Sequence, residues 1–223
     1  MIGDSNEEIR RPAAKVTALS SRDRPSGRSI LQDLEEHWRE LMAAAEHLPR
    51  REDVDTARIA GALPHAFVLE RAAPGVARVR IAGRSIAGLL GCEPKGLPLS
   101  VLFTPGARSA LQHWIERCFA GPALVDLMVQ ASQGALRQPL RGRLLLLPML
   151  DSEGQVTRAL GGLLTDGVPR RSNLRFDLSD AVPRVETMVP ASQRRAFAEV
   201  SRAAVPGFRE AERPYLRLVV SNP

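Results

Sequence analysis

The sequence predicts an α+β domain, and three observations predict it. Six apolar residues near the start, Leu31, Leu34, Trp38, Leu41, Met42 and Ala45, recur at helical spacing. Two short strand-like stretches follow, joined by the turn signal Pro74-Gly75. A capped, proline-started helix then precedes three further strand-like stretches.

The elements can be justified in order. Residues 1–28 lack hydrophobic periodicity and contain Ser20-Ser21-Arg22-Asp23-Arg24-Pro25-Ser26-Gly27, which predicts a disordered leader. Ser29 and Gln32 form a capping box for the first helix, with Glu35, Glu36, Arg39 and Glu40 mostly on its polar face. That helix should end near His47, before Pro49. Asp55 is placed to cap one turn through Ile59 and Ala60, stopped by Gly61.

His65 to Arg71 predicts a strand with Phe67 and Leu69 on one face. Val76 to Ala82 predicts another, with Val79 and Ile81 on one face and Arg78 and Arg80 alternating outward. Gly83 to Leu90 predicts a short helix closed by Gly91. Thr104-Pro105 starts a helix running to Phe119, with Leu111, Trp114, Ile115 and Cys118 as its stripe. Strands are expected at 124–132, 140–150 and 156–166, with Asp151-Ser152-Glu153-Gly154 as the last hairpin loop. Beyond 167, prolines at 169, 183, 190, 206 and 214 predict a flexible Pro/Arg-rich tail, with a helix at 192–204.

Composition narrows the class. The chain has 223 residues, enough for one domain with flanks. Its longest aliphatic run, Leu144 to Leu147, is far short of the ~20 apolar residues of a membrane span. The acidic opening, Met1 to Glu8, predicts no secretory signal. Cys92 and Cys118 sit in no metal spacing and predict a reduced, cytoplasmic protein. The net charge of +6 lies in the flanks: residues 29–166 carry fifteen basic and fifteen acidic groups. A neutral core argues against a nucleic-acid partner, and Arg170-Arg171 and Arg194-Arg195 lack interleaved aromatics.

Several motifs act together: Trp38, the turn Leu48-Pro49-Arg50-Arg51-Glu52-Asp53-Val54-Asp55, Leu63-Pro64, and Arg80-Ile81-Ala82-Gly83 closing at Gly91. Over about residues 29–166 these motifs and the element order resemble a PAS domain, in particular the short stand-alone bacterial PAS proteins. The resemblance implies one five-stranded antiparallel sheet, order 2-1-5-4-3, with helices on one face and an N-terminal amphipathic helix. It also implies sensing and binding rather than catalysis. Two positions depart from it: Val79 replaces a usual aromatic and Arg84 a usual threonine. The Asn-Cys-Arg-Phe-type motif of flavin-binding relatives is missing, since Cys92 sits in Gly91-Cys92-Glu93-Pro94, and this argues against a photoreactive flavin. Some relatives ligate haem through a histidine on the long helix. His113 is on that helix but off its apolar stripe, which argues against haem.

Candidate site residues follow. Trp114, Cys118 and Phe119 on the long helix, with Leu127, Leu145, Leu147 and Leu163 on the sheet, either pack as a core or line a small-molecule pocket. Arg84 and His65 are candidate polar contacts at its edge. His37 and His47 lack a third ligand at useful spacing, so no metal site is expected. Arg50 to Asp55 reads as a self-paired turn. The helical stripe, with Leu31, Leu34, Trp38, Leu41 and Met42, must cover itself on its own sheet or on a second subunit. A homodimer is expected, with Trp38 and Leu41 near the contact. Tyr215 to Val220 alternates, placing Leu216, Leu218 and Val220 on one apolar face, and is expected to dock.

No nucleophile elbow, P-loop, dinucleotide fingerprint or zinc-protease motif is present, and no catalytic residue is assigned. The expected function is a cytoplasmic sensory or adaptor protein acting through an unidentified small molecule or a signalling protein. The alternatives are an enzyme using the same cavity and a basic nucleic-acid-binding accessory protein.

Overall fold

The computed structural model describes residues 27–45, 47–134, 137–169 and 171–188. The leader, the helix at 192–204 and the segment at 214–220 lie outside them, apart from residues 27 and 28.

Helix α1 spans Gly27–Ala45. The polar turn pairs with itself: Arg50 N–H donates to Asp53 Oδ2 at 2.7 Å. Asp55 Oδ1 accepts from Ala57 N–H at 2.8 Å and caps the turn after it. A 3-10 turn at Leu63–His65 leads into β1 (Ala66–Ala73) and β2 (Val76–Ala82). Helix α2 (Arg84–Leu90) ends at Gly91, whose φ of +74° suits glycine. Thr104 Oγ1 accepts from Ala107 N–H, and Pro105–Ala107 leads into α3 (Arg108–Phe119). Strands β3 (Ala123–Ala131), β4 (Leu140–Met149) and β5 (Arg158–Thr165) follow. The Asp151 carboxylate closes the β4–β5 turn, accepting from Glu153 and Gln155 N–H and from the Thr157 hydroxyl.

The strands pair antiparallel in the expected order, β2-β1-β5-β4-β3. Two more strands extend the sheet. Both β6 (Phe176–Leu178) and β7 (Arg184–Thr187) pair with β3. The expected five-stranded order is thus present, and two short strands beyond residue 167 are added at its β3 edge. Phe176 is the reason: it is fully buried, lies 6.4 Å from Phe103 between ring centroids, and its carbonyl accepts from Thr104 N–H. Strands of three and four residues around Pro183 are too short for a periodic signal.

Both faces of the sheet are buried. On one, Leu69, Val79, Leu127, Leu144, Leu146 and Leu163 meet α2 and α3. On the other, Leu145, Leu147, Leu160 and Leu164 meet Leu31, Leu34 and Trp38 of α1. Adjacent glycines in the central strand β5 permit this. A Cβ on Gly161 would lie 2.1 Å from Phe67 Cε2, and one on Gly162 would lie 2.5 Å from Leu31 Cδ2. Trp38 completes the α1 contact, its indole N–H donating to the Pro148 carbonyl at 3.0 Å.

A methyl at Gly161 meets a buried aromatic ring that has nowhere to go. Gly161→Ala is expected to cost about 1–3 kcal/mol through overpacking. Thermal denaturation should show the midpoint falling by several degrees. An unchanged midpoint would show that Phe67 yields freely.

Candidate functional site

The interior between α3 and the sheet is lined by buried side chains. Leu111, Ile115, Cys118 and Phe119 are each at most 3% exposed and pack with Leu127 and Leu163. Burial pushes the Cys118 thiol well above its usual value, so it is no nucleophile. Trp114 is only half-buried, with its ring edge-on to exposed His113 at 4.8 Å. Leu145 and Leu147, expected in this pocket, face α1 on the other side of the sheet. In β4 the inward positions are Leu144 and Leu146.

Arg84 is exposed at the start of α2, beside half-buried His65. Burial lowers the His65 imidazole below its usual value, and the Arg84 charge adds to this against a backbone bond with Leu163. Among the described residues, no three His, Cys, Asp or Glu side chains group as a metal site. Cys92 and Cys118 are both free thiols.

The partner-contact residues are also reassigned. Leu31, Leu34 and Trp38 are 0–1% exposed within the single chain. Their stripe is covered by the chain's own sheet, leaving Leu41 and Met42 half-buried. Leu216, Leu218 and Val220 lie outside the described residues.

Two clefts open on the α1 side of the sheet. The first, of about 430 Å³, is bounded by residues 51–63 and by Val68, Ile81, Met149 and Leu160. Ile81 was expected to share a face with Val79. Instead Val68 pairs with Ile81 and Leu69 with Val79, so Arg80 is the extra residue of a bulge and Ile81 turns to the α1 side. The second cleft, of about 870 Å³, has a mixed lining in which Gln32, Asp126, Arg143 and Arg184 stand beside Met128, Leu164 and Val182.

Beside the second cleft lies an ion network that periodicity did not reveal. Arg184 of β7 grips both carboxylate oxygens of Glu35 on α1, reaches Asp126 of β3 at 3.1 Å and touches Glu186 at 3.2 Å. Arg39 bridges Glu35 at 3.0 Å and Glu186 at 2.6 Å. Arg143 holds Asp126 through two bonds, at 2.7 and 2.5 Å. Burial raises the Glu35 carboxyl, but Arg184 and Arg39 outweigh it and hold the group below the usual range.

A histidine that sequence reading set aside ties α1 to the first cleft. His37 is 7% exposed, and its Nε2 accepts from Asp55 N–H at 3.1 Å. Its Nδ1 is buried without a hydrogen-bond partner. Its nearby carboxylate is Glu40, at 3.9 Å, which Arg58 holds at 2.7 Å.

Residues 27–164 match the family model for the PAS domain. The chain belongs to the PAS domain family. Similar solved structures are light-oxygen-voltage domains. One, probed with a flavin analogue, is 16% identical, with 66% of this chain and 92% of that chain covered and a TM-score of 0.35. Another, an RNA-binding light-oxygen-voltage receptor, is 21% identical, with 62% and 35% covered and a TM-score of 0.33. The light state of the blue-light photoreceptor Aureochrome1 LOV is 13% identical, with 66% and 98% covered and a TM-score of 0.32. No curated protein matches the chain.

These neighbours correct one expectation. The missing cysteine motif set flavin aside, yet a light-oxygen-voltage domain studied with a flavin analogue is among the similar structures, and that exclusion is withdrawn. The likeness concerns fold, and no cofactor is assigned. No helix among the described residues is long and apolar enough to cross a membrane.

The Glu35 network makes acid dependence testable. A carboxyl held below its usual range stabilises the fold above the unfolded value of about 4.3, and this is lost as pH falls through the lower folded value. The stability gap between wild type and Glu35→Gln is expected to be widest near neutrality and to narrow below about pH 4.3. Urea unfolding across pH measures it, and a gap that widens with acid would refute the assignment. Arg184→Met should cost about 1–3 kcal/mol at neutral pH, below the range for a fully buried pair because Arg184 is 39% exposed.

Proposed function

We propose that this PAS protein is a non-catalytic sensory or adaptor module of bacterial signal transduction, cytoplasmic, whose output is contact with another protein. PAS domains serve chiefly as sensors, and the family match over residues 27–164 carries the reading. A helix–sheet interior lined by buried apolar side chains, Phe67, Phe103, Phe119 and Phe176 among them, supports it, because among the described residues it offers no polar groups for a reaction. The physical route is a ligand or partner that prefers one conformation and shifts the population toward it.

The homodimer belongs to the same proposal in altered form. The inner part of the α1 stripe is spent on the chain's own sheet. Leu41 and Met42, followed by exposed Ala43 to Ala45, are what a second copy could cover. Light scattering of wild type and Leu41→Glu should give a dimer and a monomer. A wild-type monomer at high concentration would remove the dimer from the reading.

Native mass spectrometry of the purified protein and affinity capture test the function. A retained small molecule that remains chemically unchanged, or capture of a defined signalling protein, is the expected result. Turnover of a bound metabolite would favour the enzyme alternative. Tight, salt-dependent DNA binding would favour the nucleic-acid alternative.

A further inference from the structure

The first cleft presents apolar side chains that nothing among the described residues covers. Ile81 is 48% exposed and Leu63 is 40% exposed, two of five large hydrophobic residues so exposed among those described. Val68, Met149 and Leu160 lie with them along the cleft. Only Arg51, Glu52 and Thr56 contribute polar side chains to the lining, and all three are exposed. The cleft thus offers an apolar strip and few polar anchors.

We propose that residues 214–220 of the same chain dock in this cleft as an extended strip, with Leu216, Leu218 and Val220 inward. This goes beyond the sensory reading and does not rest on it. The segment's pattern is the first argument. In an extended chain, alternate side chains share one side, and Tyr215 to Val220 puts three aliphatic residues there over a span of about 13 Å. Pro214 marks its start and disfavours helix across that boundary.

The path of the chain is the second argument. The described chain ends at Met188, which is buried in the same apolar cluster as Ile59, Met149 and Leu160. Its side chain thus packs on the cleft's side of the sheet. Residues 189–214 separate Met188 from Tyr215, and a fully extended link of that length reaches about 90 Å. Reach is no obstacle. Any other occupant of this cleft must displace the segment.

Hydrogen exchange read by mass spectrometry on the full chain tests this. It compares wild type, Ile81→Asp and the double variant Leu216→Asp, Leu218→Asp. Amides at 215–220 are expected to exchange roughly tenfold more slowly in wild type than in Ile81→Asp. Amides at 54–60 are expected to exchange faster in the double variant than in wild type. Unchanged exchange in the β4–β5 amides shows that the domain stays folded. If Ile81→Asp disturbs it, the double variant, altered outside the core, decides the matter. Free exchange of 215–220 in wild type overturns the proposal. So does protection that persists in a folded Ile81→Asp, or exchange at 54–60 that the double variant leaves unchanged. Protection that rises with protein concentration also overturns it, because the segment then docks on a second copy.

Discussion

Everything in this fold depends on a sheet that is dry on both faces at its centre. Strand β5 lies between β1 and β4, and its Gly161-Gly162 pair lets side chains from both sides approach the backbone. Phe67 lies over one glycine, and Leu31 and Leu34 of α1 over the other. Glycine in a strand costs conformational entropy and contributes no packing of its own. Here that loss is offset by burial of an aromatic ring and of the α1 stripe, at roughly 25 cal/mol per Å² of apolar surface. With α1 seated there, the chain's two described clefts are fixed along the margins of that contact.

The margin nearest β7 is electrostatic rather than apolar. Glu35, Asp126 and Glu186 meet Arg39, Arg143 and Arg184, so four elements converge on a cluster of matched charge. A well-packed apolar cluster could hold these elements at least as firmly, because desolvating charges offsets much of their attraction. What the ions add is selectivity of position. Each guanidinium has fixed donor directions, and a shifted α1 or β7 would strand a carboxylate that is 7–9% exposed.

The fold was largely legible in the sequence, because caps and turns announce themselves locally. Asp55, Gly91, Thr104 and Asp151 each do in space what their residue types imply. Facing was legible only where polar and apolar residues alternate. Leu144 to Leu147 are all at most 1% exposed, so period two is present in space but invisible in the letters. That is why Leu145 and Leu147 were placed with α3 when they belong to α1. The bulge at Arg80 hid Ile81 in a second way, by slipping the phase of an otherwise clean alternation. The ion network and His37 left no local mark, since partners such as Glu35 and Arg184 are separated by 149 positions.

The first cleft is therefore a product of backbone geometry more than of any single side chain. A Cβ on Gly83 would lie 2.0 Å from the Leu63 carbonyl oxygen and 2.4 Å from that of Pro64. Only glycine allows the 63–65 turn to press against the entrance of α2, and that approach helps place Leu63 along the cleft. The opposite wall hangs from α1 through the Asp55 N–H to His37 bond and the Arg58–Glu40 pair. Because α1 is also bound to β7 through Glu35, one helix ties the cleft to the last described strand. A displacement of α1 along its axis would strain both attachments together. In a sheet packed on both faces, that shared helix is a direct mechanical link between the cleft and the far edge.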